Sequence, residues 1–164
     1  MFKGIIGLLV GASALAGAAL AQQPQPEMQL IRAAILRVDE ERLPPISRLD
    51  LPVEDQGFAG ARLAIEDNDT TGRFMGQDFE ALEVTATPDT AAAELDRILA
   101  EGIQFVVLLA DDRTTLALAD QAGDRAMLLN ARARGDNLRG ADCRFNTIHV
   151  APSHAMLADG LAQF

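Results

Sequence analysis

The chain has 164 residues, enough for one domain with a real core, and 49% of them are hydrophobic. Its formal net charge of -10 lacks the basic footprint of a nucleic-acid binder, and with no Trp or Tyr a stacking cage would have only Phe to draw on. The single cysteine, Cys143, excludes an internal disulfide and is a poor basis for redox catalysis, so a buried structural thiol is the expected role.

Residues 1–21 read as a signal peptide. Lys3 supplies the positive start, residues 4–20 an apolar run rich in Gly and Ala, and Ala19-Leu20-Ala21 a small-x-small cleavage site. No basic cluster follows the run, so cleavage and no stable membrane insertion are expected. No Cys lies near the site, which argues against a lipid anchor. Residues 22–29, polar and carrying Pro24 and Pro26, form a short linker. The near-continuous apolar run L-I-R-A-A-I-L-R-V, residues 30–38, predicts a first strand covered on both faces. A long loop with Pro44, Pro45 and Pro52 follows over residues 39–54, and loops of that length in a compact domain tend to be functional or disordered.

From residue 55 the pattern changes to helical. Phe58, Ala61, Ala64 and Ile65 fall on one face and Arg62, Glu66 and Asp67 on the other, with Asp55 as the expected cap. Asn68 and Gly72 mark the expected exit. Small residues at 57, 60, 61 and 64 would let this helix lie close to a sheet. Asp67, Asp69, Thr71, Gly72 and Asp78 also match ligand spacings of a calcium EF-hand loop. The residue in the last of those positions is Asp rather than Glu, and a strand-like alternation follows where a second helix is needed, so a helix exit is the preferred reading.

The second strand is expected over residues 80–86. Thr87-Pro88-Asp89 then starts a helix that buries Ala91, Leu95, Ile98 and Leu99 and stops at Gly102. Q-F-V-V-L-L, residues 104–109, predicts strand three, and Asp111-Asp112 caps a helix that runs to Ala122 and stops at Gly123. Strand four covers residues 126–130, a polar Arg-rich connection residues 131–143, and strand five residues 145–150. Pro152-Ser153 opens a last helix with Met156, Leu157, Leu161 and Phe164 at helical spacing and no stop signal, so it is expected to be cut rather than finished and to need a covering neighbour. Strands alternating with helices imply right-handed crossovers and an α/β, doubly wound, parallel five-stranded sheet, order 2-1-3-4-5. In such sheets ligands bind beyond the carboxyl ends of the strands where the order reverses, here between strands one and three.

Two segments carry a resemblance. G-x-x-G-A-x-x-A-I-E-D-N-D-T-T-G-R-F-x-G-Q from Gly57, and G-A-D-C-R-F-N-T-I-H-V-A-P-S-H-A-M-L-A-D-G-L-A-Q from Gly140, resemble type I periplasmic solute-binding proteins of the branched-chain amino-acid class. The resemblance runs from about Ile31 onward and is closest to the subgroup associated with PQQ-dependent alcohol dehydrogenase systems. It implies a periplasmic location, the sheet order above, and a two-lobed receptor of which residues 30–164 are most of the N-terminal lobe. It also implies as partners a small solute and either an ABC transporter permease or a quinoprotein dehydrogenase system.

Enzymatic readings fare poorly. The chain has two histidines, His149 within strand five and His154 in a helix start, and no G-x-S-x-G, P-loop or G-x-G-x-x-G. Cys143 with Asp142 and His149 lacks zinc spacing. A receiver-like phosphoacceptor built on Asp39 and Asp111-Asp112 would want a cation against the developing charge, and the only Lys is Lys3. No cofactor is expected.

A binding lobe fits better, with Asp39, Asp111, Asp112, Thr114, Asn130, Arg132 and Arg134 as candidate ligand residues at the carboxyl ends of strands one, three and four. Arginine forks and a helix start favour an anionic solute. The loop A-D-D-R-T-T departs from the Gly and Ser pattern usual in the resembled family. Arg139 and Arg144 read as surface partners of Asp111, Asp112, Asp136 and Asp142. The alternative is a single-lobe periplasmic adaptor that docks a protein through the acidic loop at 39–54 and takes no small molecule.

Overall fold

The computed structural model describes residues 28–41, 45–47, 49, 51 and 53–163; the expected signal peptide and most of the linker lie outside them. Among the described residues five strands and four helices alternate: β1 (Gln29–Val38), α1 (Phe58–Met75), β2 (Gln77–Ala86), α2 (Ala91–Ala100), β3 (Phe105–Leu109), α3 (Asp112–Ala122), β4 (Met127–Asn130), β5 (Thr147–His149) and α4 (His154–Ala162), with a 3-10 turn at Asp136–Arg139. Every strand pair is parallel and the order is β2-β1-β3-β4-β5. Among the described residues no helix is long and apolar enough to cross a membrane.

Period-two alternation gives the sheet two faces. On one, Leu36, Val38, Val106, Leu108 and Leu128 pack with Leu95 and Ile98 of α2 and Leu118 and Ala122 of α3 into the main core. The register places Ile35 beside Val107, Val107 beside Leu129 and Leu129 beside Ile148 on the other face. There α1 packs on β2, and Phe58 and, on β1, Ile35 are buried. Beyond β1 that face is largely bare: Phe105 is 53% and Ile148 51% exposed. None of the residues of α4 is buried, and its Met156 and Leu161 face solvent.

Several local expectations change. The helix α1 does not end at Asn68 or Gly72. Asn68 donates its amide to the Ala64 carbonyl one turn back at 2.7 Å, and the stop is Gly76, in the left-handed conformation at φ 70. Gly72 is buried because a Cβ there would sit 2.7 Å from the Phe79 ring and 2.9 Å from the Gln77 carbonyl oxygen. It is a contact residue rather than a breaker. The row facing the sheet is Phe58, Ala61, Ile65, Asp69 and Gly72, whereas Ala64 is exposed. Asp69 accepts the Phe79 N–H at 2.9 Å from within the helix, so the calcium-like spacing lies on helical turns and not on a loop.

At the start of α1, Gly57 at φ 88 is the cap. Asp55 contributes its carbonyl to the N–H groups of Phe58 and Ala59, while its carboxylate faces Arg62. The strand β2 starts at Gln77, three residues early, and Cys143 is exposed, which overturns its expected burial.

Candidate functional site

Where strand order reverses between β1 and β3, the loops after β1, β3 and β4 and the start of α4 enclose a cleft of about 540 Å³. Asp39, Asp111, Asp112, Arg132 and Arg134 all line it. Thr114 does not: its N–H is taken by the Asp111 carboxylate at 2.7 Å, and it faces a neighbouring depression between α2 and α3. Asn130 is fully buried beneath the cleft. Arg37, Gln56 and His154 line it as well and were missed in the sequence. His154 had a usable signal, the Pro152-Ser153 helix start that follows the last strand. Arg37 was hidden inside a strand pattern, and Gln56 carried no signal.

Most of the charge in the cleft is already committed. Arg37 grips Asp39 at 3.0 and 3.2 Å, donates to the carbonyls of Glu54 and Gln56, and lies 4.6 Å above the Phe58 ring centroid. It thereby ties the entry of α1 to the end of β1. Asp111 caps α3, and Asp112 accepts the Gly135 N–H at 3.0 Å, joining the β3 loop to the β4 loop. Gly135 is needed for this approach, because a Cβ there would lie 2.5 Å from the Asp112 carboxylate. Arg132 donates to the Val38 carbonyl at 3.3 Å and lies 3.2 Å from a Glu40 oxygen. Arg134 is exposed, and its guanidinium forms no ion pair or hydrogen bond among the described residues; its carbonyl accepts the His154 N–H at 3.0 Å.

Beneath these groups Asn130 uses its whole side chain. Its oxygen accepts the N–H groups of Arg132 (3.1 Å) and Ala133 (2.7 Å), which identifies that atom as the oxygen. Its nitrogen therefore donates, to the Ala133 carbonyl and to His149 Nδ1, both at 2.8 Å. With Nδ1 accepting, the His149 proton sits on Nε2, 3.2 Å from the Leu138 carbonyl. Burial, and then the Arg139 charge, push the His149 pKa below its ordinary value.

The remaining arginines pair differently from expectation. Arg139 donates to the carbonyls of Gly135 and Ala151, and Arg144 grips Asp120 on α3, holding that carboxyl below its usual range. Neither reaches Asp111, Asp112, Asp136 or Asp142 as an ion pair among the described residues. Asp136 is tied instead to the start of α4, and the Ser153 hydroxyl followed by the Ala155 N–H keeps its pKa low. Among the described residues no three of His, Cys, Asp and Glu converge as metal ligands. Of the acidic loop at 39–54, residues 42–44, 48, 50 and 52 lie outside the description.

No protein-family model and no curated protein sequence matches the chain. Solved structures do. The chain is similar to the closed conformation of a leucine-, isoleucine-, valine-, threonine- and alanine-binding protein from Brucella ovis, at 18% identity and a TM-score of 0.59 over 82% of this chain and 36% of that one. A possible leucine/isoleucine/valine-binding protein from Rhodopirellula baltica SH 1 aligns at 15% identity and 0.60, over 86% and 38%. A periplasmic binding protein from Burkholderia mallei aligns at 19% and 0.55, over 75% and 32%. At such identities the likeness is one of fold: the five-stranded parallel sheet, order 2-1-3-4-5, matches lobes of periplasmic binding proteins. The chain spans about a third of the length of these proteins.

Proposed function

We propose that this chain is the solute-binding lobe of a periplasmic receptor, exported by its signal peptide and serving an ABC-type importer or a quinoprotein alcohol-oxidation system. Its solute is a small carboxylate, an anion or an amino acid, held at the carboxyl ends of β1, β3 and β4. The observation that carries this reading is the cleft at the strand reversal, in which Arg134 is the guanidinium without a partner among the described residues. Arginine is suited to carboxylates because its planar fork meets both oxygens at once. The amino-acid option draws on what the similar structures are named for binding.

Two observations support residues 30–164 as one lobe of two. The similar proteins are more than twice as long as this chain, and on the sheet face beyond β1 Phe105 and Ile148 are half exposed. Receptors of two lobes close around a solute, so one lobe alone binds weakly. The role is binding rather than catalysis, since Asp39, Asp111 and Asp112 are spent on Arg37 and on backbone N–H groups.

The test is a nuclear magnetic resonance titration of the chain with leucine, alanine, acetate and, as an uncharged control, propanol. Leucine, alanine or acetate should shift the amides of Asp112, Arg132 and Arg134 in the millimolar range, and propanol should not. Arg134→Ala should weaken the response by about ten- to a hundredfold, the loss of one charge-assisted contact of about 1.5–3 kcal/mol. An unmoved cleft with all three, or a mutant that binds like the parent, would end the proposal.

A further inference from the structure

We infer that His149 is a positioning residue for the cleft: neutral, with its proton on Nε2, it holds Asn130 in the one orientation that shapes the loop at 131–134, and protonation at Nδ1 releases that loop. Only its consequence for solute affinity rests on the binding reading above. The lock itself follows from hydrogen-bond directions. Arg132 and Ala133 point two N–H groups at one Asn130 atom, which must be the oxygen. The other atom is then a donor 2.8 Å from His149 Nδ1, and only a neutral imidazole can accept there.

A proton on Nδ1 would set donor against donor. Turning the Asn130 amide over would not help, because its NH2 would then face the two backbone N–H groups and its oxygen the Ala133 carbonyl. Asn130 is 0% exposed, so water does not take up the lost bonds. The imidazolium is accommodated only if the ring or the loop moves, and the loop carries Arg132 and Arg134.

The surroundings of His149 act in the same direction. From the 3-10 turn come the Arg139 charge and the Leu138 carbonyl; from the segment before β5 come Asp142 and Arg144. Asp142 is taken by the Asn137 amide at 2.8 Å and Arg144 by Asp120. The neighbouring face of α3 presents the neutral Thr115, Leu116 and Ala119, and Thr147 lies beside it on β5. Burial and Arg139 both disfavour the cation, so the folded-state pKa lies below the ordinary 6.5. A depressed histidine pKa means that the lock is complete above the ordinary value and is lost as pH falls through the depressed one.

The experiment follows side-chain and backbone nitrogen resonances of the chain from pH 8 to pH 5. At pH 8 His149 should show the Nε2–H tautomer. On acidification the Arg132 and Ala133 amides and the Asn130 NH2 should move together with His149, at a midpoint below 6.5, while Val107 stays still. His149→Asn keeps an acceptor at the δ position and cannot titrate, so it should leave Arg132 and Ala133 at their high-pH positions throughout. An Nδ1–H tautomer at pH 8, a His149 titration that the loop amides ignore, or an unchanged transition in His149→Asn would each overturn the inference. A loop transition in a chain that leucine, alanine and acetate never perturb would sustain the lock and sink the solute-binding reading.

Discussion

The two faces of the sheet are built from similar side chains yet differ in what covers them. Toward α2 and α3, Leu36, Val106, Leu108 and Leu128 are all 0% exposed. Toward α1, Phe58 and Ile35 are buried over the first two strands, while Phe105 and Ile148 on β3 and β5 remain half open. The apolar run of β1 predicted cover on both faces, which Ile35 and Leu36 have, whereas on β3 and β5 burial of the second face lacks a covering layer. One face has two helices with large apolar rows; the other has one helix whose sheet-facing row includes Ala61, Asp69 and Gly72 and which relies on close approach and ion pairs.

The sharpest way to break this comparison is to truncate both faces of one strand. Leu108→Ala should cost about 2–5 kcal/mol, the usual result of emptying a packed site. Phe105→Ala, three residues earlier on β3, should cost less than about 1 kcal/mol, because much of that ring is already in water. Urea denaturation measures both, and equal losses would mean that the outer face is covered in solution.

A smaller effect, with opposite signs, separates close approach from helix propensity in α1. Gly72→Ala gains about 1 kcal/mol of propensity but drives a methyl into the Phe79 ring and the Gln77 carbonyl, an overpacking worth about 1–3 kcal/mol. It should lower the melting temperature. Gly60→Ala meets nothing within 4 Å and should raise it. Two increases would show that α1 sits further from β2 than the structure places it.

The sheet was legible in the sequence because each strand is a short apolar run and each connection a separate period, so topology followed from chain order. The end of α1 was not. Asn68 and Gly72 look like stop signals locally, and only Phe79, seven residues past Gly72, explains why a glycine is needed inside the helix. The site divided in the same way. Asp39, Asp111, Asp112, Arg132 and Arg134 follow strand ends, and strand ends form the cleft in any doubly wound sheet. Asn130 also ends a strand, but its inward direction is fixed by the register that sets it beside His149, a long-range fact. Arg37 could not be distinguished from a polar residue tolerated within β1 until its partners at Asp39, Glu54 and Gln56 were in place.

The smallest predicted effect concerns what holds α1 to the sheet. Arg62 donates from Nε and Nη2 to the two Glu83 oxygens, both at 2.6 Å, and Asp55 stands 3.7 Å away. The hydrogen bond from Arg62 holds the Glu83 carboxyl below its ordinary 4.5. A depressed carboxylate pKa contributes stability that is complete above the ordinary value and disappears as pH falls through the depressed one. Arg62→Ala should therefore return the Glu83 titration toward 4.5, as read from its side-chain carbon resonance, and flatten the dependence of stability on pH just below that value. The pair is open to solvent, with the Arg62 side chain 56% exposed, so its effect is small and should shrink further in molar salt. The deficit of Leu108→Ala, which arises from lost burial, should persist at pH 7 and pH 4 and in molar salt. If Glu83 titrates identically with and without Arg62, the pair does not persist in solution, and α1 is held without it, by Phe58, the Asp69 bond to the Phe79 N–H and the close approach at Gly72.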